Sequence, residues 1–120
     1  MWELKEGIVA RYCLLGHVDA AKLEEYRRRH AAVWPELLVA LRDAGWRNYS
    51  LFLRPDGLLI GYCEADDLDA AQERVGATEI NAKWQAEMSR LFASEGAPDE
   101  AWERLEEVFN LEDQLAASGH

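Results

Sequence analysis

Apolar side chains recur at a spacing of two residues over 8–15, 47–54 and 58–64. This spacing is typical of extended chain and predicts three β-strands. In the first segment both faces are largely apolar, as expected for a sheet that is covered on both sides. The segment 103–111 ends in apolar side chains and predicts a fourth strand that carries Val108 and Phe109.

Apolar positions three or four residues apart predict helices over 20–33, 35–44, 65–75 and 78–92. Pro35 separates the first two helices, because proline has no N–H to donate and its ring clashes with the preceding turn. The same residue suits the first turn of the helix that follows it.

Residues with known preferences for element ends mark the boundaries. Asp19 and Thr78 can accept hydrogen bonds from the first turns of the helices that follow them. Gly45 suits the left-handed position that ends a helix. The sequence Arg-Pro-Asp-Gly over 54–57 predicts a tight turn that joins two strands into a hairpin, and 94–99 is expected to be a loop.

The predicted order of elements is β-α-β-β-α-β, the ferredoxin-like split βαβ arrangement of an α+β domain with a four-stranded antiparallel sheet. Residues 1–112 are expected to form this single domain, and the small, polar tail 113–120 to fray. The helices cover only one face of such a sheet, and a large apolar face is rarely left in water. We therefore expect a homodimer in which two open faces close into a dimeric α+β barrel.

Charge and composition narrow the choice of partner. In 120 residues, 23 acidic side chains outnumber 13 basic ones and give a net charge of −10. This balance argues against nucleic acid and favours a neutral ligand over an anionic one. The sequence contains no apolar run of the about 20 residues that span a membrane. Cys13 and Cys63 are expected to be free thiols, which together with the absence of a secretory signal predicts a cytoplasmic protein.

One stripe of side chains is the strongest candidate for chemistry. Tyr26, His30 and Trp34 are four residues apart, so a continuous helix would align a hydroxyl, a titratable ring and a flat apolar ring. Histidine titrates near neutral pH and can exchange protons with a ligand. Ordinary core packing of two aromatic side chains around a histidine is the alternative.

Other kinds of site lack their signatures. The chain has no glycine-rich phosphate loop, no nucleophile elbow and no group of metal ligands at a recognised spacing. The remaining possible functions are acid–base chemistry without a cofactor and ligand binding without catalysis. Trp84 recurs with Ile80 and Met88 every four residues, which taken alone is typical of a core, although a flat indole also suits the C–H face of a sugar ring.

The motifs around these residues resemble those of the L-rhamnose mutarotases. The correspondence extends over about 9–111, and its Tyr-x-x-x-His and Trp-Pro-Glu-Leu elements are fairly specific. The motifs that carry the resemblance are Glu25-Tyr26-Arg27-Arg28-Arg29-His30, Val33-Trp34-Pro35-Glu36-Leu37, Asn48-Tyr49, Thr78-Glu79, Lys83-Trp84 and Leu105-Glu106-Glu107-Val108-Phe109.

The resemblance implies a dimeric α+β barrel enzyme that interconverts the α and β anomers of a 6-deoxyhexose, most simply L-rhamnose, without a cofactor. It implies that His30 is the proton donor and that Tyr26 and Tyr49 bind the sugar. In the family two adjacent tryptophans on the second helix contact the sugar; this chain has Trp84 and Gln85 there, and the resemblance implies that both bind the sugar. An amide can hydrogen-bond a hydroxyl where an indole packs on a ring or methyl group.

The expected mechanism is general acid–base catalysis, with His30 delivering a proton to the ring oxygen and Trp34 as a further wall of the pocket. Three alternatives stay open: a cofactor-independent monooxygenase of the same small α+β barrel type, a non-catalytic sugar-binding protein, and a structural dimer in which His30 is only packed.

Overall fold

The computed structural model describes residues 9–92 and 102–120. Its strands are β1 (Ala10–His17), β2 (Arg47–Leu53), β3 (Leu58–Ala65) and β4 (Glu103–Leu105). Its helices are α1 (Leu23–His30), α2 (Pro35–Ala44), α3 (Leu68–Gly76), α4 (Glu79–Met88) and α5 (Leu111–Ala117). Short 3₁₀ turns precede α1 at Ala20–Lys22 and follow α4 at Ser89–Leu91.

The four strands form one sheet in the order β2-β3-β1-β4, and every neighbouring pair is antiparallel. Because β1 lies between two strands that come later in the chain, this is the split βαβ order. The predicted ferredoxin-like α+β fold is therefore confirmed. The predicted hairpin is confirmed as well, since β2 and β3 pair directly across the turn.

The core lies between one face of the sheet and helices α1 to α4. Leu14 of β1 and Leu59 of β3 are fully buried there, against Leu68, Met88 and Leu91 of the helical layer. Burial of each such side chain contributes about 1.5–3 kcal/mol. Residue alternation along the strands therefore fixes which face of the sheet meets the helices.

The predicted element ends are confirmed. The side chains of Asp19 and Thr78 accept hydrogen bonds from the backbone N–H groups of Ala21 and Asn81. Pro35 is the first residue of α2, and Gly45 ends that helix with φ at 110°. Each of these residues does locally what its side chain, or the lack of one, favours.

The opposite face of the sheet is not covered by α1 to α4, and it is apolar at its centre, with Arg11, Tyr62 and Glu64 toward one end. Cys13, Leu15 and Ile60 are half-buried on it, while Phe52 is 60% exposed and Leu105 45% exposed. Strand β1 thus has apolar side chains on both faces, with Leu14 on one and Cys13 and Leu15 on the other, as its pattern predicted.

The end of the chain differs from its prediction. The fourth strand, predicted over 103–111, has only the three residues of β4, and Val108 is 84% exposed. The tail predicted to fray over 113–120 is largely taken up by helix α5, whose N-cap Asn110 accepts a hydrogen bond from the N–H of Asp113. Beyond β4 the ion pairs that Arg11 makes with Glu107 and Asp113 hold the segment, in place of strand pairing. The predicted loop 94–99 lies outside the described residues.

Candidate active site

Helix α1 places Tyr26 and His30 on its inner side, one turn apart. The two rings stack with centroids 4.0 Å apart and an angle of 22° between their planes. Tyr26 is only 3% exposed. Because the same helix carries both rings, the imidazole has a defined position at the cavity wall.

A hydrogen bond defines the tautomer of His30. Its Nδ1 lies 3.0 Å from the backbone carbonyl oxygen of Tyr26. A carbonyl only accepts, so Nδ1 carries the hydrogen and, in the neutral ring, Nε2 presents a lone pair. Burial lowers the pKa of His30 from its ordinary value, and the bond to the carbonyl opposes this in part. The imidazole is therefore neutral at pH 7 and able to accept a proton.

Trp34 does not continue the stripe as predicted, because α1 ends at His30 and Trp34 is the N-cap residue of α2. Its indole instead packs edge-on against Trp84, with centroids 5.0 Å apart. Trp84 in turn meets the His30 ring edge-on at 5.4 Å. Trp34 thus lies behind Trp84, while Trp84 itself faces the cavity.

The cavity beside His30 has a volume of about 350 Å³, within the usual range for small-molecule sites. It brings together five of the residues predicted for the site, namely Tyr26, His30, Tyr49, Trp84 and Gln85. The remaining wall is mainly apolar, and it is formed by Val33, Leu37, Leu38, Leu41, Trp46, Leu51, Val75, Met88, Phe92 and Trp102, with Asn81.

Two tyrosines from different elements bring phenol groups to this cavity. Tyr26 comes from α1, and Tyr49 comes from β2, where its ring lies 4.7 Å from that of Trp46. Burial raises the pKa of Tyr26 far above its ordinary value. Its hydroxyl therefore stays protonated and can act as a neutral hydrogen-bond donor or acceptor.

Helix α4 contributes two amide side chains, of which only Gln85 was predicted for the site. Gln85 Nε2 donates to Asn81 Oδ1 at 3.2 Å, and Asn81 is 6% exposed. Gln85 Oε1 is buried and has no hydrogen-bond partner among the residues that the structure describes. Asn81 was not predicted for the site, although its spacing of four residues from Gln85 was a usable signal. Trp46 and Trp102 were also missed, since neither belongs to a motif.

Ion pairs on the outer side of α1 tie it to the end of α4. Arg29 pairs with Glu87 at 2.5 Å and with Glu25 at 3.5 Å, and Arg90 also binds Glu25. The bond from Arg90 lowers the pKa of Glu25 to about 2. These contacts hold the helix that carries His30 against the helix that carries Trp84.

Two features are absent from the part of the chain that the structure describes. No group of three or more histidine, cysteine or carboxylate side chains there is placed to hold a metal ion. No helix in those residues has both the length and the apolar character that crossing a membrane requires.

The fold and the site define a ferredoxin-like α+β protein with a histidine placed for proton transfer in an aromatic-lined cavity. The L-rhamnose mutarotase family model matches residues 11–111, most of the chain. The chain belongs to the L-rhamnose mutarotase family, whose members are carbohydrate isomerases. The resemblance stated from the sequence motifs is thereby confirmed.

Individual relatives agree with this assignment. The chain is 38% identical over 98 residues to an L-rhamnose mutarotase of Burkholderia cenocepacia, which covers 80% of this chain and 92% of that protein. It is 37% identical over 97 residues to an L-rhamnose mutarotase of Lactiplantibacillus plantarum, with coverage of 80% and 90%. A crystal structure of L-rhamnose mutarotase from Formosa agariphila superposes with a TM-score of 0.67 at 27% identity, covering 85% of this chain and 98% of that one.

Proposed function

We propose that this protein interconverts the α and β anomers of L-rhamnose or a closely related 6-deoxyhexose by acid–base catalysis at His30. The observation that carries the proposal is the state of the imidazole, with Nδ1–H held by the Tyr26 carbonyl and the ring at the wall of an aromatic-lined cavity. A neutral base in that position suits a neutral hydroxylated ring.

Mutarotation opens the pyranose ring and closes it on the other face of C1. In the opening step the C1–O5 bond breaks, the anomeric hydroxyl loses its proton to become a carbonyl oxygen, and the ring oxygen gains a proton. Closure after rotation about the C1–C2 bond reverses both transfers. One proton moves from O1 to O5 and no electrons are transferred to another molecule.

A single imidazole can perform both transfers, because O1 and O5 are bonded to the same carbon. His30 Nε2 first accepts the anomeric proton, and the imidazolium then donates it to the ring oxygen as the C1–O5 bond breaks. The lowered pKa of His30 supports this order, since the resting ring is neutral and the imidazolium is a ready donor. A positioned acid–base group of this kind contributes about 10² to 10⁴ in rate.

The other lining residues have roles that follow from their chemistry. Tyr26 and Tyr49 hydrogen-bond sugar hydroxyls through their phenol groups, while the indole of Trp84 packs on an apolar face of the ring. Trp34 supports that indole from behind. Gln85 supplies an amide on the same wall.

We also propose that two copies of the chain associate through their open sheet faces, as in a dimeric α+β barrel. The support is the apolar character of that face, where Phe52 and Leu105 are exposed. Free Cys13 and Cys63 support a reducing, cytoplasmic location for the activity.

Exchange between the two anomers of L-rhamnose, measured at equilibrium by saturation-transfer NMR, tests the catalytic proposal. Wild type should accelerate the exchange, and His30→Ala should reduce the acceleration at least about 100-fold. His17→Ala is the matched control, because His17 is exposed at the end of β1. Unchanged exchange in a folded His30→Ala protein would remove His30 from the mechanism. Sugar binding without faster exchange would favour a sugar-binding protein, and oxygen uptake with a quinol would favour the monooxygenase.

A further inference from the structure

We propose that Gln85, positioned by Asn81, determines specificity by accepting a hydrogen bond from one hydroxyl of the bound sugar. This inference rests on the proposed function, and it names the feature of the substrate that helix α4 recognises. The site would then select a pyranose that carries a hydroxyl where it meets Gln85, and reject the analogue that lacks it.

The first observation is an unpaired buried atom. Gln85 Oε1 has no hydrogen-bond partner among the described residues, and it is the one buried side-chain oxygen or nitrogen among them in this condition. Leaving such an acceptor buried and unpaired is unfavourable. A ligand hydroxyl that donates to it would remove this penalty only while the ligand is bound.

The second observation is the orientation of the amide. Its Nε2 donates to Asn81 Oδ1 at 3.2 Å, and Asn81 is buried one turn earlier on the same helix. Since the nitrogen end is engaged, the oxygen end remains for a ligand. An amide oxygen only accepts, so its partner is a hydroxyl and not a methyl group.

The third observation is the surroundings of Gln85 on this wall. The neighbouring cavity residues Trp84 and Met88 are on the same helix, and Val75 comes from α3. These side chains contact apolar surface without distinguishing hydroxyl positions. Since Gln85 lines the same cavity, its amide lies next to a ligand that packs against them.

The test compares wild type with Gln85→Met, which keeps the length of the side chain and removes the amide. Both proteins are assayed by saturation-transfer NMR on L-rhamnose, its 2-, 3- and 4-deoxy analogues, and L-mannose, which adds a hydroxyl at C6. Comparing the two proteins on the same sugar cancels differences in the intrinsic reactivity of the sugars. Gln114→Met on the exposed helix α5 is the matched control.

For every sugar that carries the recognised hydroxyl, Gln85→Met should lower kcat/KM about tenfold, which corresponds to about 1.4 kcal/mol. For the sugar that lacks it, wild type and variant should be equal. Sugar affinities from tryptophan fluorescence titration should show the same pattern. The control variant should match wild type throughout.

An equal loss on every sugar, or no loss on any, would overturn the inference and leave the mutarotase proposal in place. If wild type accelerates exchange for none of the sugars, the proposed function itself fails. The wild-type comparison across the deoxy analogues needs no variant. Measured as sugar affinity, which does not depend on the intrinsic reactivity of the sugar, it remains decisive if Gln85→Met does not fold: equal affinity for all hydroxyl patterns would contradict the inference.

Discussion

At the scale of single residues, the position of His30 on α1 sets both its tautomer and its acidity. The Tyr26 carbonyl fixes Nδ1 from one turn earlier, and the Tyr26 ring covers one face of the imidazole. Burial disfavours the charged ring and keeps it neutral near pH 7. A histidine held in this way is a base first and an acid only after it has accepted a proton.

This order predicts the pH dependence of catalysis. Because neutral His30 starts the reaction, kcat/KM should be constant at neutral pH and fall with decreasing pH, with a midpoint below the ordinary histidine pKa of about 6.5. A rate profile of anomer exchange, corrected for exchange without enzyme, measures this midpoint. A midpoint above 6.5 would contradict the role of burial.

The same shift has a consequence for stability. A folded-state pKa below the unfolded value means that the unfolded chain binds more protons between the two values. The contribution of His30 is therefore fully present above about pH 6.5 and is lost as the pH falls through this window. Urea unfolding at several pH values should show a weaker acid dependence in His30→Gln than in wild type. An equal dependence in both proteins would exclude His30 as its source.

Tyr26 allows a test that separates its hydroxyl from its ring. Tyr26→Phe keeps the stack on His30 and removes the hydroxyl, whose pKa is raised by burial and which therefore acts as a neutral hydrogen-bonding group. We expect kcat/KM for L-rhamnose to fall about tenfold, the effect of one neutral hydrogen bond. The pH midpoint should stay unchanged. A shifted midpoint would mean that the hydroxyl also tunes His30.

The residues of the site were predictable to the extent that they share a helix or a motif. Tyr26 and His30 are one turn apart on α1, and local spacing is enough to bring them together. Trp34 was expected to align with them. However, α1 ends at His30 and Trp34 is the N-cap residue of α2, so its indole packs behind Trp84. Trp102 reaches the cavity from a distant part of the sequence, and no local pattern indicates such a contact.

At the scale of elements, the hairpin between β2 and β3 shows how a local signal becomes a tertiary contact. Gly57 has φ at 100° in the turn, and its carbonyl accepts a hydrogen bond from the N–H of Val18 at 2.8 Å. The turn thus also anchors the chain that leaves β1 for α1. Helix α1 carries Tyr26 and His30, so the hairpin helps to position the site.

Gly57→Ala should therefore destabilise the protein. A Cβ at this position would lie 2.2 Å from the Val18 carbonyl oxygen, and φ there is unfavourable for alanine. We expect the free energy of unfolding to fall by about 2 kcal/mol or more, as measured by urea denaturation. Gly76→Ala is the control, because a Cβ there meets nothing within 4 Å in α3. That variant should be unchanged or up to about 1 kcal/mol more stable.

Elements whose ends have chemical markers were predicted well, and β4 was not. Asp19, Thr78, Gly45 and Pro35 each act through their immediate neighbours. The pairing of β4 with β1 stops where Leu105 meets Cys13, although β1 continues to Ala10. Arg11 then binds acidic side chains beyond β4. The alternation of apolar and polar residues within one segment does not show where its pairing with a distant strand ends.

At the scale of the whole molecule, exposed apolar side chains occur both on the open sheet face and on the C-terminal segment that follows β4. The chain measures 49 × 31 × 23 Å, with a radius of gyration of 16.0 Å against about 13.6 Å for a compact domain of this length. Val108 and Phe109 are exposed on the segment that follows β4. An acidic chain with net charge −10 needs apolar contacts to associate, because its like charges repel. In the proposed dimer these contacts come from the open face.

The proposed dimer is tested at Phe52, an exposed apolar side chain on the open sheet face. Light scattering on wild type should give twice the chain mass of 13.7 kDa at micromolar concentration. Phe52→Glu puts a charge on the open face of β2, and burying an unpaired charge is unfavourable enough to shift the protein toward monomer. Val39→Glu, on exposed helix α2 in the layer that covers the other sheet face, should stay dimeric. A wild type of single-chain mass, or an unchanged dimer in Phe52→Glu, would show that this face is not the interface.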